Sequence, residues 1–355
     1  MNTALVTGGA GFLGSHVAEH VLAMGMRVVV LDDLSGGFRR NVPSGCELCI
    51  GSVEDRRLIN KLFKRYRFRF VYHLAAYAAE GLSHFIRHFN YRVNLLGSVN
   101  LINAAVNWGT ECFVFTSSAA VYGSATSPFT EQHVPHPEDP YGIAKLAVES
   151  DLRAATALWS MKHVIFRPHN VYGERQNLAD RYRNVVGIFM NQVLSGRPCT
   201  IFGDGTQTRN FSYVGDVAPI IATAVGVADA ANRTFNIGAS ESCSVNELAR
   251  FVQAALGRCV GVEYLAPRPE ARHVNCVHDQ IAEVFRRHST VGLADGIART
   301  ADWAKTVELG LRKPPSSIEI QKGLPAMWAG GQLYSAQKLP APRAPLRERG
   351  RDCLA

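Results

Sequence analysis

The stretch Leu5–Gly14, L-V-T-G-G-A-G-F-L-G, decides the fold. An apolar run ends in three spaced glycines, Gly8, Gly11 and Gly14, and is followed by Ser15–Met24, whose apolar spacing predicts a helix. Each glycine answers a steric demand. The chain needs a tight turn at Gly8, a bare backbone where a pyrophosphate comes close at Gly11, and close helix-to-strand packing at Gly14. The first turn of the helix then presents unpaired N–H groups to a phosphate. Further on, V-V-V-L-D-D (Val28–Asp33) reads as a second strand, with Asp32 at its end and in register for the hydroxyls of an adenosine ribose. A carboxylate there repels a 2′-phosphate, so the expected cofactor is NAD rather than NADP.

Working outward, short β-branched runs alternate with amphipathic stretches from Met1 to about Ser160: A-L-V-T-G, V-V-V-L-D-D, C-E-L-C-I-G-S, F-V-Y-H-L-A-A and C-F-V-F-T-S-S, with helices between them. Strand–helix alternation with uniformly apolar strands predicts an α/β fold, a doubly wound parallel (Rossmann) sheet. Val164–Arg167 reads as a further strand. After Gly173 the alternation loosens, with helices expected at Gly187–Leu194 and Val245–Leu256. The expected organisation is an NAD-binding domain over 1–173, to which parts of 203–240 return, and a smaller C-terminal substrate-binding lobe over 174–313. A C-terminal extension over 314–355 follows, its Pro- and Arg-rich end Ala336–Ala355 reading as a flexible tail.

Composition narrows the function classes. A chain of 355 residues with 47% apolar content can bury a full core. No apolar run approaches the ~20 residues that a membrane helix requires, and no export signal is read at the N-terminus, so the expected location is the cytoplasm. The net charge of +8 is spread along the chain and into the tail arginines Arg343, Arg347, Arg349 and Arg351, which argues for an anionic small-molecule substrate and against nucleic acid. Among eight cysteines, Cys46 and Cys49 form a lone C-x-x-C with no second pair, so structural thiols and no metal site are expected.

The chemistry is read from Y-G-I-A-K. Tyr141 and Lys145 are four residues apart, which on a helix puts both side chains on one face. An ammonium and a cationic nicotinamide ring nearby would lower the phenol's pKa, so that Tyr141 could act as a base. Ser117 and Ser118 close the preceding strand, at the sheet edge where α/β folds hold ligands.

With these motifs placed, the chain resembles the extended short-chain dehydrogenases/reductases of the NAD-dependent epimerase/dehydratase family, and among them most the nucleotide-sugar 4-epimerases. The resemblance is carried, in order, by T-G-G-A-G-F-L-G, H-L-A-A, N-L-L-G-S, S-S-A-A-V-Y-G, P-Y-G-I-A-K and R-P-H-N-V-Y-G over about residues 1 to 313. It implies a catalytic triad of Ser118, Tyr141 and Lys145. It implies an NAD site formed by Gly8, Gly11, Phe12, Leu13, Asp32, Asp33, Ser35, Gly37, Ser52, Val53, Leu74, Ala75, Ala76, Asn94, Thr116 and Pro168, together with Tyr141 and Lys145. It implies a nucleoside-diphosphate sugar held by Glu80, Ser118, Ala119, Tyr141, His169, Asn170, Arg209, Arg268 and Cys276. A homodimer is implied through a four-helix bundle of about Val93–Trp108 and Pro140–Leu158.

Three departures stand out, the first on the adenine of the cofactor and the other two where the sugar should sit. Ser52 stands where relatives usually carry an Asp, although Asp55 is retained; the segment Ala75–Phe85, A-A-Y-A-A-E-G-L-S-H-F, differs from the common loop; and His169 replaces a usual Phe. In the resemblance, dehydratases, decarboxylases and 3,5-epimerases carry an acid or a thiol at the positions here held by Ala119 and Ala120, and a methyl group moves no proton. The expectation is transient oxidation at C4 of a UDP-hexose or its derivative, rotation of the keto sugar, and return to the C4 epimer. The alternatives are a dehydratase using Glu80 or His84, a net reductase or another family reaction through a 4-keto intermediate, or a non-catalytic NAD-binding protein. Cys276 is read either as a small gate residue that leaves room for an N-acetyl group at C2 or as a packed strand residue.

Overall fold

The computed structural model describes residues 1–125, 127–267, 272–287, 290–307, 309, 318–325 and 328. Six strands form in the order expected: β1 (Thr3–Thr7), β2 (Arg27–Asp32), β3 (Glu47–Ile50), β4 (Phe70–His73), β5 (Cys112–Thr116) and β6 (Lys162–Pro168). A seventh, Arg233–Ile237, comes back from far down the chain to pair with β6. The sheet runs Arg233–Ile237, β6, β5, β4, β1, β2, β3, and every pairing is parallel. The strand order reverses between β1 and β4, and in such folds the crevice beyond the strands' carboxyl ends at this switch holds the ligand.

Both faces of the sheet are covered, which is why its strands lack polar alternation. On one face, α1 (Phe12–Ala23) packs with the later helix Val214–Thr223 in a core that includes Ala4, Val6, Val28, Val30 and Ile221. On the other face lie α2 (Arg56–Tyr66) and two helices that follow the short α3 (Glu80–Ser83) and α4 (Arg87–Tyr91). These are α5 (Gly97–Asn107) and α6 (Pro140–Trp159), packed over Leu5, Val29, Val71 and Phe113. The smaller lobe is made of short pairs: Val262–Leu265 beside Cys199–Phe202, and both Ser242–Ser244 and His273–Val274 beside Thr208–Asn210.

Helix α1 begins at Phe12, three residues before the expected start. Gly11 is its N-cap and has no side chain to bond the first N–H groups, so the first turn stays open toward the crevice. Helix α6 begins as its sequence dictates: Asp139 accepts N–H from Tyr141 and Gly142 at 2.9 and 3.0 Å, and Pro140 occupies the first turn. That cap fixes the helical phase of Tyr141. Cys46 lies just before β3 and Cys49 within it; both are half-buried free thiols.

Candidate active site

A cavity of about 1670 Å³ opens along the carboxyl ends of β1, β2, β4, β5 and β6 and extends to the smaller lobe. That exceeds the usual pocket for one drug-sized ligand, and suits two ligands meeting end to end. One half is built largely of backbone. Gly8 has φ +70°, and a Cβ on it would lie 2.8 Å from Ala75 N; a Cβ on Gly14 would lie 2.1 Å from Gly8 O. Neither position can carry a side chain without moving the loop. Asp32 is buried, and its carboxylate accepts Ala10 N at 3.0 Å and Leu34 N at 2.8 Å. Burial pushes its pKa up, against the pull of those backbone donors.

Gly11, Phe12, Leu13, Asp33, Ser35, Gly37, Ser52, Val53, Leu74, Ala75, Ala76, Thr116 and Pro168 line this half with Gly8 and Asp32. Thr116 Oγ1 is buried with no hydrogen-bond partner among the described residues, a polar atom that a ligand would satisfy. Asn94 lies elsewhere. It sits in a π-helical turn (Arg92–Leu96), and its amide bonds both Tyr77 N and Tyr77 O, at 2.9 and 3.1 Å, so it positions the loop that follows β4 and does not line the cavity. Asp55 caps α2 through Arg57 N and Leu58 N.

Ser118, Tyr141 and Lys145 meet where the two halves join. Ser118 caps a single 3₁₀ turn over Ala119–Tyr122, accepting Ala120 N at 3.1 Å, and lines the cavity beside Tyr141. Lys145 Nζ donates to Thr116 O at 2.8 Å and lies 5.7 Å from the centre of the Tyr141 ring. In the protein alone the titrations run opposite to the sequence expectation. Burial raises the phenol of Tyr141, with the nearby Glu80 carboxylate adding to it, and burial lowers Lys145 to about 7 against the pull of Glu149. The reason is desolvation: both groups are almost fully enclosed, which disfavours phenolate and ammonium alike.

Beneath the triad lies a charged support the sequence reading missed. Arg167 and Glu149 form a fully buried ion pair at 2.6 Å; Glu149 also accepts Ser117 Oγ at 2.6 Å, and Arg167 donates to Tyr122 Oη at 2.9 Å. The pair ties β6 to α6 and to the turn that holds Ser118, and removing one member would cost about 3–5 kcal/mol. The only signal in sequence was an Arg inside R-P-H-N and a Glu four residues beyond Lys145.

The other half is assembled from distant segments. Glu80, Ala119, His169, Asn170 and Arg209 line it. His169 is buried, its Nε2 is 2.7 Å from His278 Nε2, and burial lowers its pKa to about 3, so it stays neutral. Arg209 donates to Thr208 O and Arg272 O at 2.8 and 3.0 Å. Arg268 lies outside the described residues. Cys276 does not line the cavity: it is buried in a cluster with Ala119, Val121, Tyr122 and Phe129, with a backbone bridge to Phe129. Val274 lines the wall instead. Sequence reasoning also missed Tyr77, Asp180, Tyr182 and Arg183 in this half. Arg183 bonds Asp180 at 2.6 Å and stacks over Tyr77 at 4.7 Å, contacts that no local motif announces.

Comparison with known proteins agrees with this geometry. Residues 4–238 match the family model described as NAD dependent epimerase/dehydratase family. A UDP-glucose 4-epimerase of Mycolicibacterium smegmatis is 34% identical over 307 residues, which cover 84% of this chain and 97% of that protein. Among solved structures, the UDP-glucose 4-epimerase of Thermotoga maritima with UDP-glucose superposes with a TM-score of 0.82 at 32% identity, over 86% of this chain and 99% of that one. That of Thermus thermophilus, in complex with NAD, gives 0.80 at 33% identity, over 86% and 100%. Both the order of the motifs and the cavity they build thus lead to one conclusion, that the chain belongs to the NAD dependent epimerase/dehydratase family.

Proposed function

We propose that the protein is an NAD-dependent nucleotide-sugar 4-epimerase acting on a UDP-hexose or its derivative. The observation that carries the reading is the convergence of Ser118, Tyr141 and Lys145 on one cavity wall at the junction of its two halves, flanked by Ala119 and Ala120 where an eliminating enzyme needs an acid. The residues present fit the cofactor: the glycine cradle leaves no room for side chains, the first turn of α1 is uncapped by side chains, Asp32 closes β2, and Thr116 keeps an unspent hydroxyl. Bound there, NAD would supply a reversible two-electron acceptor for the sugar's oxidation.

The chain's own residues do the rest. Tyr141 takes the proton of the C4 hydroxyl and later returns it, while Ser118 holds the oxygen by a hydrogen bond. Lys145, anchored to Thr116 O, favours the phenolate when it carries its proton. Arg209 and Asn170 face the diphosphate. A neutral His169 adds bulk and a hydrogen-bonding edge without charge.

A second reading has one observation in its favour. Glu80 lines the cavity close enough to raise the Tyr141 pKa, and an acid so placed could eliminate water from a 4-keto sugar. Incubation with UDP-glucose separates the two: an unchanged mass with inverted C4 by NMR supports the epimerase, and loss of one water supports the dehydratase. We further propose a homodimer through α5 and α6, supported by the exposed apolar side chains of Leu96, Ile143, Leu158 and Trp159 on or beside them; sedimentation of a monomer would overturn it. A cytoplasmic location accords with the cofactor and substrate class, and among the described residues no helix is long and apolar enough to cross a membrane.

A further inference from the structure

The relatives above are matched over 97–100% of their own length but over only 84–86% of this chain, so part of this chain has no counterpart in them. Beyond residue 313 the described residues 318–325 and 328 return to the mouth of the cavity. Glu319 N and Ile320 N donate to Phe85 O at 2.8 and 3.2 Å, and the Glu319 carboxylate accepts His88 N and Phe89 N at 2.8 and 2.9 Å, at the start of α4. Trp328 is 5% exposed. Its ring meets Phe85 edge-on at 6.1 Å and Tyr182 at 5.6 Å, and its carbonyl accepts Arg181 Nη2 at 3.3 Å. Ile318 and Leu324 pack against the same cluster, which holds Trp328 with Tyr77, Leu82 and Ile86.

These contacts fall on one part of the site. Gly323, Pro325 and Trp328 line the cavity itself. Their partners come from the loop after β4 and from the segment around Tyr182, not from the Asp32 side or the Arg209 side. The loop after β4 leads into α3, where Glu80 acts on Tyr141 and Ser83 Oγ accepts Tyr141 N at 3.3 Å, so the C-terminal segment covers the region nearest the reacting hydroxyl. Tyr77 also lines this region, and its hydroxyl is buried with no partner among the described residues. A buried donor left unpaired in a cavity wall marks a place where a polar ligand atom is expected. Ala75–Phe85, which departs from the common loop of the family, is also the segment that receives the extension.

We propose that the C-terminal segment completes the hexose end of the cavity, with Trp328 as a specificity-determining wall that the sugar ring packs against beside Tyr77. The inference rests on the nucleotide-sugar reading above. An aromatic face of this kind gives the hexose a rigid apolar platform, while the nucleotide is held elsewhere. Binding of the whole substrate should therefore depend on Trp328, and binding of the nucleotide without its sugar should not.

The test compares the full-length wild type with Trp328→Ala and Trp328→Phe, using UDP-glucose turnover and calorimetric binding of UDP. Trp328→Ala is expected to raise KM for UDP-glucose roughly tenfold, leave Kd for UDP unchanged, and be largely rescued in Trp328→Phe. Equal weakening of UDP and UDP-glucose, or no change in either, would overturn the wall. If Trp328→Ala does not fold, intrinsic fluorescence decides: UDP-glucose, but not UDP, should change the emission of the wild type more than that of Trp328→Phe. Identical responses from the two proteins would overturn it. A wild type that neither binds nor converts UDP-glucose defeats the nucleotide-sugar reading itself, whereas a wild type that converts it while Trp328→Ala is indistinguishable defeats the wall alone.

Discussion

The two halves of the cavity are built on different principles. The half beside the glycine loop has as its core backbone and one carboxylate from the first two strands and the helix between them, Gly8, Gly14, the open turn at Gly11, and Asp32, and is closed by the ends of the neighbouring strands at Ser52, Ala75, Thr116 and Pro168. The half beside the sugar is made of side chains from the loop after β4, the segment around Tyr182, the Thr208–Asn210 strand, and a segment beyond residue 313. Chemistry shared by many substrates can sit on a short local scaffold, and recognition of one substrate is assembled from distant pieces.

The largest effect that can break this contrast is at the junction. Tyr141→Phe removes the proton-transfer group and should lower turnover by about 10²–10⁴-fold, while NAD remains bound to the purified protein. Turnover near the wild type would exclude Tyr141 as the base and leave the junction without its function.

Asp32→Ala attacks the local half alone. It should weaken NAD binding by about 10–100-fold, the value of a lost hydrogen bond to a charged group, and relax discrimination against NADP, since the carboxylate's bonds and its repulsion of a 2′-phosphate act together. The product formed from the sugar should stay the same. Unchanged titrations with both cofactors would remove Asp32 from the ribose site.

A smaller effect concerns the cost of burying the triad. Lys145 is lowered to about 7 in the folded protein against about 10.4 in an unfolded chain. Between those values the unfolded state holds a proton that the folded state lacks, so this group's contribution to stability rises with pH across the window and its penalty is full below it. Lys145→Met should therefore be inactive yet melt higher than the wild type by roughly 2–4 °C at or below pH 7, with the gain shrinking as pH rises toward 10. A gain independent of pH would show that the ammonium costs the fold nothing.

The smallest effect sharpens the border between wall and core. Cys276 packs in a cluster with Ala119 and does not line the cavity. Cys276→Ala should lower Tm slightly and leave the ratio of kcat/KM for UDP-glucose and UDP-N-acetylglucosamine unchanged. A shift of that ratio would favour the gate.

The same contrast explains what could be read from the chain before its structure. The sheet, the glycine cradle and the Tyr141–Lys145 pair were legible because periodicity, glycine spacing and an i,i+4 pair are local patterns, while the choice of Ser118 is what the family resemblance implies. Even the helix start was misplaced by only three residues, since Phe12 and Leu13 carry no capping signal of their own. The support under the triad was hidden, because Arg167 and Glu149 meet only through the packing of β6 on α6. Asn94, which the resemblance puts in support of the cofactor side, bonds the Tyr77 backbone through its amide, a contact that no local pattern announces. Cys276 was left open between two roles that no local pattern separates, and Trp328 gave no signal at all, since its partners lie well over a hundred residues away.

The central claim is that the hydrogen leaving C4 of the sugar returns to C4 with no net oxidation and no lost water. UDP-glucose deuterated at C4 tests it most directly. The expected product is UDP-galactose of unchanged mass with the deuterium still at C4 and no consumption of added NAD. A product lighter by one water with the deuterium moved to C6, or a keto sugar released with its deuterium lost, would contradict it.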